Sequence, residues 1–110
     1  MHTNERMSKI NIHNGIIYLS GQTAGSEESN IKEQTEHCLS QIEELIGEAG
    51  GDCNRLLSVT IYLKDMSHFD GMNAVWDAWI SEKSKPARAC VQAAMARTNI
   101  LVEFSVTATL

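Results

Sequence analysis

The chain begins with two short runs in which apolar and polar residues alternate, at positions 9–13 and 16–20. Asn14 and Gly15 stand between them, and an Asn-Gly pair favours the type I′ turn because both central residues of that turn need positive φ. The pattern therefore predicts a β-hairpin at the start of the chain, and a polar loop is expected at residues 23–29.

Apolar residues then recur at helical spacing over residues 31–49. Asn30 precedes the first of them and Glu33 follows three positions later, which is the arrangement of a capping box. Gly50 and Gly51 come directly after the last one, and glycine tolerates the left-handed conformation that ends many helices. This segment predicts the first helix.

The middle of the chain combines a strand pattern with a second helical pattern. Residues 55–64 are rich in β-branched and aromatic side chains. The side chains expected on the buried face of this strand are Leu57, Val59, Ile61 and Leu63. A helix capped by Asp65 or Ser67 should follow. Its apolar face would carry Phe69, Met72, Val75, Trp76, Trp79 and Ile80.

Two further strands are predicted at residues 87–95 and 100–109, joined by a turn at residues 97–99. The order β-β-α-β-α-β-β describes an α+β fold in one domain over residues 1–110, with two helices packed on one face of a mixed sheet. The alternation predicts apolar side chains on both faces of the sheet, so a monomer would expose one of them. We therefore expect a closed homo-oligomer.

Composition narrows the classes of function. With 9 basic against 14 acidic residues the net charge is −5, which argues against a nucleic-acid partner. The chain shows no apolar run near the roughly 20 residues of a membrane span and no signal-peptide pattern, so we expect a cytoplasmic protein with no membrane partner. The three cysteines and four histidines match no disulfide or metal spacing, and we expect no metal.

Arg88 enters an otherwise apolar strand. Its planar fork either binds an anion, for which a carboxylate is well suited, or extends to water at the strand end. Cys90 leaves the same face two residues later. Its thiol is either converted towards thiolate by Arg88 or packs as a small buried group.

Glu103 lies inside the last apolar strand. A carboxylate in that position is either an acid-base group with a raised pKa or an ordinary solvent-facing residue. The second interpretation follows from the alternation of the strand. Glu103 shares one face, expected to face solvent, with Leu101, Ser105, Thr107 and Thr109.

Residues 86–95 read Pro-Ala-Arg-Ala-Cys-Val-Gln-Ala-Ala-Met and residues 100–104 read Ile-Leu-Val-Glu-Phe. Together they resemble the C-terminal signature of the Rid family, also called YjgF or reactive intermediate/imine deaminase. The segments 20–22, 59–65 and 72–73 match this family as well, and residues 73–79 most resemble its YoaB-like branch. Archetypal members carry Gly-Pro-Tyr-Ser before the first strand, where the Tyr lines the ligand site. Residues 6–8 read Arg-Met-Ser instead, so one wall of the pocket should differ.

The resemblance implies a homotrimer of chorismate-mutase-like fold, whose three sheets line a central barrel with three clefts between subunits. The implied reaction is hydrolysis of a 2-imino acid, the tautomer of an enamine such as 2-aminoacrylate, to a 2-oxo acid and ammonia, without a metal or cofactor. Arg88 would hold the substrate carboxylate and Glu103 would position or activate the attacking water. The remaining substrate-binding residues implied are Cys90, Ser20, Gly21 and Asn73.

Two other functions remain open. The same cleft suits a non-catalytic trimer that binds or senses small carboxylates, and Glu103 discriminates because a pure anion binder would gain from a neutral residue there. An endoribonuclease or translation inhibitor, a label given to some members of the family, is less favoured because the net charge is negative.

Overall fold

The computed structural model describes residues 1–24 and 30–110; most of the predicted polar loop, residues 25–29, lies outside the described residues. The strands are β1 (Ile10–His13), β2 (Ile16–Leu19), β3 (Leu56–Leu63), β4 (Ala87–Gln92) and β5 (Val102–Thr109). The helices are α1 (Ile31–Glu48) and α2 (Phe69–Ile80), preceded by short 3-10 turns at Cys53–Arg55 before β3 and Met66–His68 before α2. This order confirms the predicted β-β-α-β-α-β-β arrangement.

The strands form one mixed sheet in the spatial order β1-β2-β5-β3-β4. β3 and β4 run parallel because the intervening helix α2 returns the chain to the same end of the sheet. The other neighbouring pairs are antiparallel. β4 is therefore an edge strand, while β5, the last strand along the chain, lies in the middle of the sheet.

Both helices pack on one face of the sheet and enclose the core, as predicted. β5 alternates between buried and partly exposed residues, and its core positions are Val102, Phe104, Val106 and Ala108. β3 contributes Val59, Ile61 and Leu63 to the same core. None of the helices in the described ranges is both long and apolar enough to cross a membrane.

The predicted N-cap, Asn30, begins α1, and Glu33 pairs with its side-chain amide rather than with its backbone N–H as in a capping box. Asn30 Oδ1 accepts a hydrogen bond from the Glu33 N–H at 2.8 Å, and Asn30 Nδ2 donates to Glu33 Oε1 at 2.5 Å. At the other end of the helix Gly50 has φ +90°, the left-handed conformation expected after a helix. The hairpin turn is also confirmed, since Asn14 and Gly15 have φ values of 50° and 76°.

Three local predictions are wrong. Leu57 is 43% exposed, because a register shift between Leu56 and Ser58, of the kind a β-bulge produces, gives the buried position to Leu56. Asp65 accepts from the Ser67 N–H at 2.8 Å and so caps the 3-10 turn, while α2 begins only at Phe69. β4 ends at residue 92 and β5 starts at residue 102, so both are shorter than expected.

The face of the sheet opposite the helices, here called the open face, carries mainly hydroxyl groups. Paired residues on neighbouring strands share a face, and the register assigns to this one Tyr18, Ser58, Thr60, Tyr62, Ser105, Thr107 and Glu103, with Ala87, Ala89 and Val91 of β4. The Ser58 and Thr107 hydroxyl groups are hydrogen-bonded at 2.6 Å. Apolar side chains such as Val91 are exposed on this face, but it is less apolar than expected because the alternation places the apolar residues of β5 on the helix side alone.

Candidate functional site

Arg88 lies on edge strand β4 with its side chain on the face covered by the helices, because it pairs with the buried residue Val59. Its Nη1 donates a hydrogen bond to Asn73 Oδ1 at 2.8 Å. The guanidinium carbon is 5.4 Å from the centre of the Trp76 ring. Both partners belong to α2, so this helix determines where the guanidinium lies.

The positions of Asn73 and Trp76 on α2 explain why they reach the same group. Residues three apart in a helix lie on one face. Trp76 is 6% exposed and stacks on Phe104, with ring centres 6.2 Å apart and planes at 16°. No acidic side chain of the described residues forms an ion pair with Arg88. Arg88 is thus an exposed cation that is hydrogen-bonded to Asn73 at one edge and lies over the Trp76 ring.

The Arg88–Asn73 pair offers mainly donors. The Asn73 carbonyl is occupied by the guanidinium, which leaves the Asn73 amide N–H groups directed away from it. The remaining guanidinium N–H groups are also donors. Such a set is suited to an anion, and the planar fork matches a carboxylate.

Cys90 is half-buried on the same face as Arg88, where it pairs with Ile61. Burial raises the pKa of the Cys90 thiol, and the opposing effect of Arg88 is smaller. Of the two alternatives for Cys90, this favours the small packed group over the thiolate.

Cys53 is buried, and it begins the 3-10 turn that precedes β3. Burial is the main cause that raises the pKa of its thiol to about 11, and the nearby carboxylate of Glu43 adds to the effect.

Glu103 lies on the open face, where it pairs with Tyr62 across β3 and β5. It contributes to a cavity of about 310 Å³. The other residues that line this cavity are Gly21, Tyr62, Ala93, Ala94, Met95 and Ser105. The carboxylate thus faces a hollow of the size of a small metabolite, with hydroxyl groups beside it.

Gly21 contacts Glu103 because the chain after β2 runs along β5. Gln22 and Phe104 exchange two backbone hydrogen bonds, at 2.8 and 3.0 Å. A Cβ atom at position 21 would overlap the Glu103 carboxylate, so this approach requires glycine. Ser20 lies beside them, and its carbonyl oxygen and hydroxyl accept from Gln22 Nε2 at 3.0 and 3.3 Å.

The residues predicted for the site form two groups. Arg88, Asn73 and Cys90 lie together on the helix-covered face, and Ser20, Gly21 and Glu103 lie together next to the cavity. Arg88 and Glu103 leave opposite faces of the sheet with β3 between their strands, so one chain does not bring them together.

Sequence reasoning missed Trp76 and Tyr62 as neighbours of these groups. The three-residue spacing of Asn73 and Trp76 could have placed them on one face of a helix. The alternation in β3 could have placed Tyr62 on the face opposite its buried residues. No cluster of three or more His, Cys, Asp or Glu side chains within residues 1–24 and 30–110 could hold a metal ion.

Comparison with known proteins relates the whole chain to one family. The family model "Endoribonuclease L-PSP" matches residues 2–110. A RutC family protein from Haemophilus ducreyi is 36% identical over 103 residues, which cover 94% of this chain and 88% of that protein. The RutC family protein YoaB from Escherichia coli is 33% identical over 103 residues, covering 94% of this chain and 90% of YoaB.

Solved structures agree with this relationship. The crystal structure of a YjgF family member from Neisseria meningitidis has a TM-score of 0.93 and 41% sequence identity to this chain. The match covers 98% of this chain and 90% of that one. The chain therefore belongs to the Endoribonuclease L-PSP family, which is the YjgF or Rid family that its sequence resembles.

Proposed function

We propose that this protein hydrolyses 2-imino acids, or their enamine tautomers such as 2-aminoacrylate, to 2-oxo acids and ammonia in clefts between the subunits of a homotrimer. The observation that carries the proposal is the Arg88–Asn73 pair. Arg88 lies on an edge strand, the pair presents mainly donors, and Arg88 has no acidic partner among the described residues. A carboxylate on the substrate would complete it.

Glu103 supplies the acid-base group. Water adds to the imine carbon, which is already electrophilic, and the carboxylate of Glu103 accepts a proton from that water. Glu103 passes this proton to the nitrogen, which gives the tetrahedral intermediate. In its collapse Glu103 takes the hydroxyl proton and delivers it to the amino group, so that the C–N bond breaks, the C=O bond forms and ammonia leaves. Positioned proton transfer of this kind contributes roughly 10²–10⁴-fold, and fixing the carboxylate at Arg88 provides orientation.

A cleft between subunits is supported by the separation of the two groups. In one chain Arg88 and Glu103 leave opposite faces of the sheet. A second copy whose open face lies against the β4 edge would bring its own Glu103 towards Arg88. The site is then complete only in the oligomer, which accounts for an acid-base residue and an anion site so far apart in the monomer.

Binding without catalysis is the second candidate, and the Arg88–Asn73 pair favours it because donors alone are sufficient to hold a carboxylate. Cleavage of RNA has less support. The family model carries the word endoribonuclease, but the chain has a net charge of −5, which opposes binding to a phosphate backbone.

The test is an assay in which an amino-acid oxidase or a threonine dehydratase generates imines in situ, and imine loss and ammonia release are followed. Arg88→Met should lower kcat/KM by about 30- to several-thousand-fold, the equivalent of roughly 2–5 kcal/mol for an unpaired carboxylate. Arg88→Lys should recover little, because an ammonium lacks the planar fork. The matched control is Arg55→Met, since Arg55 is exposed and its guanidinium donates only to the Leu110 carbonyl at 2.9 Å among the described residues.

Glu103→Gln separates the two candidates. It should retain binding of a 2-oxo acid and lower kcat, whereas an unchanged rate would assign the cleft to carboxylate binding alone. Sedimentation should give about three times the chain mass for every variant. A stable monomer that is fully active would contradict the cleft, and full activity of Arg88→Met would contradict the anchor.

A further inference from the structure

We propose that Trp76 is a positioning residue that, with Asn73, fixes the plane of the Arg88 guanidinium so that its free edge faces outward from β4 towards a planar carboxylate. The inference rests on the proposed role of Arg88 as the carboxylate anchor. It assigns to a buried ring, which sequence reasoning treated as core, a part in ligand binding.

The Trp76 ring is a fixed surface. It is 6% exposed, and Phe104, against which it stacks, is fully buried in the centre of the sheet. The Trp79 ring lies 5.6 Å from it at an angle of 44°. The buried stack on Phe104 leaves the Trp76 ring little freedom to tilt, so it offers Arg88 a surface of constant orientation.

Arg88 is held in two different ways. The guanidinium carbon lies over the Trp76 ring, 5.4 Å from its centre, within the range of a cation–π contact. Asn73 Oδ1 accepts from Nη1 at one edge, at 2.8 Å. The ring contact and the hydrogen bond together restrict the orientation of the guanidinium, and its remaining N–H groups stay available to a ligand.

Preorganisation is the advantage of this arrangement. A long arginine side chain on an exposed edge strand samples many rotamers, and binding a ligand would have to restrict them. When the plane is already fixed, less entropy is lost as the carboxylate binds. The contribution expected of the indole is about 2- to 30-fold in affinity, the range of cation–π contacts from exposed to desolvated sites.

Trp79 provides a matched control on the same helix. It contacts Trp76, donates from Nε1 to Glu43 Oε1 at 2.6 Å, and carries the Lys83 ammonium 4.7 Å from its own ring centre. Its described contacts do not include Arg88. Replacing this partly buried side chain removes an indole from the same helix, while the stack of Trp76 on Phe104 and its contact with Arg88 remain.

The first measurement needs no reaction. In proton NMR spectra, the side-chain protons of Arg88 should be shifted upfield by the indole ring current in the wild type and in Trp79→Leu. In Trp76→Leu they should return to ordinary positions. Unshifted Arg88 protons in the wild type would overturn the proposal at once.

The second measurement is calorimetric titration with pyruvate, the simplest 2-oxo acid. Trp76→Leu should weaken binding by about 2- to 30-fold, Trp76→Phe should fall between it and the wild type, and Trp79→Leu should match the wild type. Where imine hydrolysis is measured, KM should rise with kcat little changed, because an anchor serves substrate and transition state alike. Trp76→Phe keeps an aromatic core and covers the case in which Trp76→Leu does not fold.

The outcomes distinguish this inference from the proposed function. If pyruvate binds in the expected order while no imine is hydrolysed, the proposed function fails and the positioning role stands. If imines are hydrolysed and Trp76→Leu behaves as Trp79→Leu does, the inference fails and the function stands. A wild type that binds no pyruvate overturns the anchor and the inference together.

Discussion

Gly21 and Glu103 are packed so closely that no side chain fits at position 21 while the Glu103 carboxylate keeps its place. The contact joins the segment after β2 to central strand β5, and the backbone bonds between Gln22 and Phe104 fix it. Position 21 must therefore be glycine for the Glu103 carboxylate, the proposed acid-base group, to keep its place.

Gly21→Ala should displace the Glu103 side chain and reduce the stability of the fold only slightly. The atoms in the way are the end of a flexible side chain, so we expect less than about 1 kcal/mol of lost stability and a fall of kcat of about tenfold or more. Gly47→Ala is the control, because no atom lies within 4 Å of the added methyl group and alanine favours a helix by about 0.5–1 kcal/mol. Thermal melting and imine hydrolysis of both variants check this, and an unchanged kcat in Gly21→Ala would contradict it.

The buried thiol of Cys53 should make stability fall at alkaline pH. Its pKa is raised from the ordinary value of 9.0 to about 11, so the unfolded chain loses the proton first as the pH rises. Stability from this group is complete below pH 9 and is lost as the pH rises through about 11. Urea unfolding at about pH 8 and about pH 10.5 should show a decrease of about 1–2 kcal/mol that Cys53→Ala lacks. Equal decreases in both proteins would refute this.

Cys90 should be alkylated before the other two cysteines because it is only half-buried, while Cys38 and Cys53 are buried. Burial raises its pKa and Arg88 lowers it in part. In Arg88→Met the pH at which alkylation of Cys90 reaches half its maximal rate should therefore move upward. Mass-spectrometric labelling across a pH series measures this, and a downward movement would show that Arg88 does not favour the thiolate.

The N-cap at Asn30 predicts a graded loss of stability. Asn30→Ala removes both side-chain hydrogen bonds to Glu33 and should cost about 1 kcal/mol, whereas Asn30→Gly should cost only a few tenths. Denaturant unfolding of the two variants tests the order. Equal losses would indicate that the first turn of α1 does not depend on the cap.

The C-terminal end of α2 is capped by a lysine. Lys85 Nζ donates to the carbonyl oxygens of Ile80, Ser81 and Lys83 at 3.0, 3.1 and 2.8 Å. Lys85→Met should cost about 0.5–1.5 kcal/mol. Lys32 lies in the first turn of α1, at the positive end of that helix dipole, so Lys32→Met should be neutral or slightly stabilising. Thermal melting at low ionic strength checks both signs, and a loss at Lys32 as large as at Lys85 would contradict the capping role.

Local structures that depend only on residues close together in the sequence could be predicted from the sequence. The Asn14-Gly15 turn and the Asn30 cap depend on residues within a few positions, and both formed as expected. Leu57 could not be placed, because its exposure follows from the register of β3 against β5, a strand some fifty residues further along. Arg88 and Asn73 were both expected to bind substrate, but their mutual hydrogen bond depends on where α2 crosses the sheet.

The position of β5 has a consequence for how the molecule is made. Val102–Thr109 is the last strand along the chain, yet it pairs with both β2 and β3 and joins the two halves of the sheet. A ribosome-bound chain that lacks it can form the hairpin and the helices, but the edges of β2 and β3 stay unpaired. Assembly of the sheet therefore waits until β5 has been synthesised, and until then the edges of β2 and β3 are the surfaces that need shielding from other nascent chains.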